Sequence, residues 1–217
     1  MDKKKLTRTV VIIATAIVLV DQIVKILVKT HMQIGEEIPL IGTWCRLNFT
    51  ENSGFAFGTT LGGVVGKYIL TLIRIVASVI IIRLIAKFIR QGQRRSIILC
   101  LTVIVAGAIG NLIDSLFYGL IFNESYYSVA TLFPPEGGYA PLMQGRVVDM
   151  FYFPLFEFDW PSWIPFIGGN HFKFFSAIFN VADSAVTVGF FWLIIDQLFI
   201  APKHSKSTTK ENSSTEE

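Results

Sequence analysis

Residues 174–200 read FFSAIFNVADSAVTVGFFWLIIDQLFI, 27 positions with one acidic residue, Asp183, well inside and another, Asp196, near the far end. A run of this length and apolarity can cross a hydrocarbon core of about 30 Å, which takes roughly 20 residues of helix. A carboxylate inside such a run is expensive and points to function by default. Asp196 lies close enough to the end of the run to be expected to reach water. Working back along the chain, a second carboxylate, Asp149 in Gly145-Arg146-Val147-Val148-Asp149-Met150, comes shortly before the run. Two acids at one membrane face could share a proton and activate a water.

The rest of the chain has the same character. Of 217 residues, 52% are hydrophobic and 16% charged, and the mean hydropathy is +0.56. That excludes an ordinary soluble domain. The net charge of +3 does not indicate nucleic acid, because the basic residues cluster between apolar runs as topology signals do. Three further runs of spanning length occur, giving spans at about 10–28, 68–89, 97–120 and 174–200. Lys3, Lys4, Lys5 and Arg8 precede the first, Lys87, Arg90, Arg94 and Arg95 join the second to the third, and Lys203, Lys206 and Lys210 follow the fourth. These segments are expected to be cytoplasmic, with both termini inside and the loops 30–67 and 121–173 outside. The first span reads as a retained signal anchor, since Asp21 and Lys25 interrupt it and no small-residue cleavage site follows.

With that topology, polar residues from three spans fall at one depth. Asp21 lies about 17 Å from the start of the first span at ~1.5 Å per residue, and Lys25 one turn further. Asn111 and Asp114 come late in the third span, and Asn180 and Asp183 early in the fourth. Each pair is spaced three or four residues apart, so each lies on one helix face. Asp21 with Lys25 reads as a structural ion pair, and Asn111 with Asp114 also suits hydrogen bonding between helices. Asp183 has no basic residue within one turn, which favours chemistry.

The first outer loop carries Asn52-Ser53-Gly54-Phe55-Ala56-Phe57-Gly58, whose glycines permit turns and whose alternating phenylalanines suit a half-buried strand. The second carries Phe151, Tyr152, Phe153, Phe156, Phe158, Trp160 and Trp163 broken by three prolines, a density that suits the membrane interface. Cys45 and Cys100 are expected at different depths, beyond disulfide reach. His31, His171 and His204 are far apart, so no metal site or cofactor is expected. Residues 201–217, rich in Ser, Thr, Lys and Glu, read as a disordered cytoplasmic tail after a single membrane-embedded domain over 1–200.

Five segments in order resemble the bacterial lipoprotein signal peptidases, or signal peptidase II: Asp21-Gln22-Ile23-Val24-Lys25, Asn52-Ser53-Gly54-Phe55-Ala56-Phe57, Gly107-Ala108-Ile109-Gly110-Asn111-Leu112-Ile113-Asp114, Val147-Val148-Asp149 and Phe179-Asn180-Val181-Ala182-Asp183. The resemblance implies a membrane all-α fold, a four-helix bundle with a small extracytoplasmic β-sheet and an interfacial outer loop. It implies Asp149 and Asp183 as the catalytic pair of an aspartic endopeptidase, with Asn52, Gly54, Asn111, Asp114, Asn180, Asp21 and Lys25 supporting the pocket. The third motif usually continues with arginine, and here that place is Ser115. Arg146 is a candidate substitute. The segments 121–144 and 154–172 are longer than the family's usual connections.

The substrate implied is a prolipoprotein carrying diacylglyceryl on its cysteine, cut just before that residue in the bacterial inner membrane by a monomer in contact with lipid, with the site toward the outer leaflet. One carboxylate would take a proton from the attacking water while its protonated partner bonds the scissile carbonyl, with no covalent intermediate. The rival readings are a proton-coupled transporter or channel relaying protons through Asp21, Asp114 and Asp183, and a non-catalytic scaffold. Transport needs a polar path to both faces, whereas the inner part of the third span, residues 97–106, has little polarity.

Overall fold

Long apolar runs cannot leave backbone polar groups exposed to lipid, and helices satisfy those groups internally. The computed structural model describes residues 2–53 and 63–200. It contains four helices long and apolar enough to cross a membrane: Lys3–His31, Gly63–Gln91, Arg95–Ile121 and Val181–Phe199. They comprise α1 (Lys3–His31), α2 (Gly63–Gln91), α3 (Arg95–Ile113) and α4 (Val181–Ile195). After Ile113 the third span widens into a π-helical turn, Asp114–Tyr118, before a last α turn at Gly119–Ile121.

The first three helices run further than the apolar stretches alone suggest, because lysines and arginines at their ends are good helix formers that reach beyond the hydrocarbon. The fourth differs at its start. Residues 174–180 are not helical: Phe174 ends a strand, Ile178–Phe179 form another, and the helix begins at Val181. Aromatic and aliphatic residues serve a strand as well as a span, so composition alone places the boundary too early. Asp183 therefore lies in the first turn of α4, where the helix dipole favours negative charge.

The chain divides into two compact units, each assembled from separated stretches. One comprises residues 1–20, 72–111 and 181 onward. Its core gathers Leu6, Ile85, Ile98 and Val105. Within it α3 and α4 approach closely: a Cβ added to Gly107 would stand 2.3 Å from the Ala182 carbonyl oxygen, and one added to Gly189 would stand 2.7 Å from Ile104. Small residues permit such backbone contact between spans. Asp196 is fully buried and paired with Arg94, contrary to the expectation that it reaches water. The arginine of the α2–α3 connection takes the place of solvent.

The other unit comprises residues 21–71 and 112–180. Its centre is an antiparallel sheet in the order β1, β2, β3, β6, formed by Glu37–Ile41, Cys45–Asn52, Val147–Tyr152 and Ile178–Phe179. Thr50 stands opposite Asp149 in the register of β2 and β3, with an irregularity between Leu47 and Thr50. Phe49, Val148 and Met150 from the sheet pack with Val28, Tyr118 and Phe122. The aromatic segment contains a hairpin, β4 (Phe156–Asp159) and β5 (His171–Phe174), with Trp163 and Phe166 exposed between its strands. The strand expected from Phe55 and Phe57, the supporting role of Gly54, and the tail after residue 200 lie outside the described residues.

Candidate active site

Asp149 is third in β3, on a strand whose residues are almost all buried, and is itself 4% exposed. A carboxylate cannot stay there without donors. Asn180, fully buried at the end of β6, supplies one: its Nδ2 donates to Asp149 Oδ1 at 2.6 Å and to the Val148 carbonyl at 3.3 Å. The pairing of β6 with β3, Phe179 opposite Phe151, brings this amide to the carboxylate.

Asp183 belongs to the other unit and is held in an analogous way. Asn111 Nδ2 donates to Asp183 Oδ1 at 2.7 Å. Asn111 is one turn after Gly107, and Asp183 directly follows Ala182, so the close Gly107–Ala182 approach sets the distance between amide and acid. Each candidate carboxylate thus accepts from a neutral side-chain amide.

Asp21 and Lys25 form the expected ion pair, Lys25 Nζ to Asp21 Oδ2 at 2.9 Å. The same ammonium also bonds Asp114 Oδ2 at 2.8 Å, and all three residues are fully buried. Asp114 further accepts from Gln22 Nε2 at 2.9 Å and from the Val148 backbone N–H at 3.3 Å. The triad therefore grips β3 one residue before Asp149. Asn111 and Asp114, though three apart, have different partners, the first Asp183 and the second Lys25. Asn52 ends β2 opposite Val147.

A second charged cluster was not foreseen. Lys29 bonds Glu51 and Ser125, the latter at 2.7 Å. Arg146 reaches Glu51 at 2.9 Å and Glu124 at 2.5 Å, with its guanidinium against the rings of Tyr126 and Tyr139. Burial pushes the Glu51 carboxyl up, but Lys29, Arg146 and Ser125 together hold it below the usual carboxylate range. Burial raises the Tyr139 phenol. Lys29 could have been suspected from Asp21 and Lys25, since the three recur at four-residue spacing on one face. Glu51 and Glu124 carry no such signal.

Segment 121–144 leaves the end of the third span and folds back along its last turns. Gly145 N donates to Ser115 O at 3.0 Å, Met143 N to Leu116 O at 3.1 Å, and Ala140 N to Gly119 O at 2.9 Å. Gly145 is required at the closure, because a Cβ there would lie 2.0 Å from the Asp114 carbonyl oxygen. The closure sets Arg146 beside Ser115 in the chain's path, 31 positions on in sequence.

Four apolar spans, a small sheet and buried carboxylates held by amides and a lysine define a multi-pass membrane protein equipped for acid chemistry. The model of the family described as signal peptidase (SPase) II matches residues 13–199, and the chain belongs to that family. It is 48% identical over 188 residues to a lipoprotein signal peptidase of Porphyromonas gingivalis, covering 85% of this chain and 81% of the relative. It is 34% identical to one of Amoebophilus asiaticus, over 85% and 75% of the two chains. With one of Staphylococcus aureus it shares 27% identity, over 90% and 91%. Among solved structures, a bacterial membrane enzyme determined at 1.9 Å by the in meso method superposes with a TM-score of 0.56 at 26% identity, over 88% of this chain and 93% of that one. The transporter reading is not favoured by this membership.

Proposed function

We infer that this protein removes signal peptides from prolipoproteins as a membrane protease of the aspartic type, and we propose Asp149 and Asp183 as its catalytic pair. The supporting observation is that each carboxylate is fixed by a neutral amide, Asp149 by Asn180 and Asp183 by Asn111. A neutral amide N–H can donate to an acid in either protonation state, so it orients one member ionised while the other keeps its proton. The ionised carboxylate takes a proton from water as it attacks the scissile carbonyl carbon. The protonated one hydrogen-bonds the carbonyl oxygen and later protonates the leaving amine. The proton belongs to the pair, so its titration is a property of both groups.

The substrate proposed is a prolipoprotein whose cysteine already carries diacylglyceryl, cut immediately before that cysteine. The proposed setting is the bacterial inner membrane, with both termini cytoplasmic, the site toward the outer leaflet and the enzyme working as a monomer. Asn52, Gly54, Asn111, Asp114, Asn180, Asp21 and Lys25 are the supporting residues. Arg146 takes over from the family arginine missing at Ser115. The Gly145–Ser115 hydrogen bond supports this, since it returns the chain to that position one residue before Arg146. Arg146→Ala retaining full activity and stability would remove that role.

The deciding experiment is cleavage of a purified diacylglyceryl prolipoprotein in detergent. Asp149→Asn and Asp183→Asn should each abolish cleavage while the variants remain folded by circular dichroism. Substantial cleavage by either would overturn the pair.

A further inference from the structure

The segment 121–144 does more than fold back against the end of the third span; its final turns line a cavity. Tyr139, Ala140, Gln144, Arg146, Ser53 and Lys67 are among the residues that line an open cavity of about 340 Å³. That is within the range of small-molecule sites, about 300–1,000 Å³. The wall is tied to α2 by two hydrogen bonds: Gln144 Nε2 donates to Val64 O at 3.2 Å, and Thr71 Oγ1 donates to Met143 O at 3.2 Å.

The lining has a definite charge character. It carries two cations, Lys67 and Arg146, with the hydroxyl of Ser53, the phenol of Tyr139 and the amide of Gln144, and among the described residues that line it there is no carboxylate. Arg146 is already bonded to Glu51, whose side chain is only 1% exposed, and to Glu124, so Lys67 is the principal cation of the lining. Lys67 is 8% exposed, so the residue is largely withdrawn from bulk water while lining the cavity. The first turn of α2 adds backbone N–H groups at the positive end of the helix.

The depth of this cavity indicates which anion it meets. A 29-residue helix is about 43 Å long at 1.5 Å per residue, about 13 Å more than the ~30 Å hydrocarbon core. Centred in the bilayer, α2 would extend about 6 Å past the hydrocarbon at each end. Lys67 is four residues, about 6 Å, along α2 from Gly63, and so falls at the boundary between headgroups and acyl chains. Deeper along the same helix Ile69 is 54% exposed, an apolar side chain along which an acyl chain can run.

We propose that this cavity binds the phosphate headgroup of an anionic phospholipid, with Lys67 and Arg146 lining the phosphodiester site, the polar lining facing the headgroup hydroxyls, and an acyl chain lying along Ile69. The inserted segment thereby supplies a lipid site that shares Arg146 with the machinery proposed for peptide cleavage.

The experiment is retention of lipid by the purified full-length protein in nanodiscs, read by native mass spectrometry, with phosphatidylglycerol and phosphatidylcholine offered at equal concentration. The wild type should hold phosphatidylglycerol about tenfold over phosphatidylcholine, the preference one or two interfacial cations supply. Lys67→Gln should cut that preference several-fold and Lys67→Arg should keep it. Glycerol phosphate and inorganic phosphate, added alone to the detergent-solubilised protein, should bind far more weakly than the lipid. Equal retention of the two lipids by the wild type would overturn the proposal without reference to any variant, as would undiminished preference in folded Lys67→Gln. Tight binding of free phosphate with no preference among lipids would also overturn it.

Discussion

Asn180 holds Asp149 by a 2.6 Å hydrogen bond and binds the Val148 carbonyl with the same nitrogen, so one amide fixes both the acid and the strand that carries it. Asn180 and Asp149 are both buried, so their bond is shielded from bulk water. Hydrogen bonds to charged groups contribute about 1.5–3 kcal/mol. Asn180→Ala should therefore lower kcat about 10- to 100-fold with a smaller change in KM. Steady-state cleavage of a lipidated prolipoprotein measures this, and an unaltered kcat would show that Asp149 needs no such support.

The Asp21–Lys25–Asp114 triad predicts a larger effect on stability. Removing one partner of a buried ion pair leaves uncompensated charge and costs about 3–5 kcal/mol. Lys25→Met leaves two carboxylates facing each other with no cation between them. It should lower the melting temperature in detergent markedly, and Lys25→Met combined with Asp114→Asn should recover part of the loss. Equal melting of wild type and Lys25→Met would show that another group compensates the acids.

Gly107 sets the contact between α3 and the start of α4. An added methyl would meet the Ala182 carbonyl at 2.3 Å and Val186 at 2.8 Å, so the two helices must part. Asp183 follows Ala182, and Asn111 is one turn past Gly107, so their 2.7 Å bond stretches with that movement. A misplacement near 1 Å can cost about 100-fold in rate. Gly107→Ala should therefore lose activity at temperatures where it remains folded, as cleavage and thermal unfolding assayed side by side will show.

How far these features could be read from sequence follows the range of the interactions. Asp21 and Lys25 are four apart on one helix, so their pairing is legible, whereas Lys25 with Asp114 joins residues 89 positions apart and depends on tertiary packing. The spans are legible from apolar length. The start of the fourth is not, because Ile178 and Phe179 pair with Tyr152 and Phe151 in a sheet, and nothing in their composition distinguishes that from a helix turn. Spacing alone makes the amides of Asn111 and Asn180 members of same-face pairs with Asp114 and Asp183. In the structure Asn111 bonds Asp183 and Asn180 bonds Asp149, a pattern set by packing rather than spacing. The Glu51, Glu124 and Arg146 cluster depends on the inserted segment closing at Ser115 and Gly145, for which the sequence offers only unusual length.

That cluster predicts an acid limit to stability. The Glu51 carboxyl is held below its ordinary range by Lys29, Arg146 and Ser125 despite burial, so the unfolded chain binds a proton there at higher pH than the folded one. Stability from this group is then fully present above the ordinary glutamate pKa, about 4.3, and is lost as pH falls through the lower folded value. Melting temperature should be flat in this respect near neutrality and should decline below about pH 4. Glu51→Gln leaves Lys29 and Arg146 with one carboxylate fewer, so it should melt lower than the wild type at pH 7. As pH falls the wild type loses the advantage of its carboxylate, and the two curves should converge. Melting curves of both proteins between pH 3 and pH 7 test this directly. A gap that stays constant across the range would mean that Glu51 acts through its shape and hydrogen bonds alone and that its charge contributes nothing.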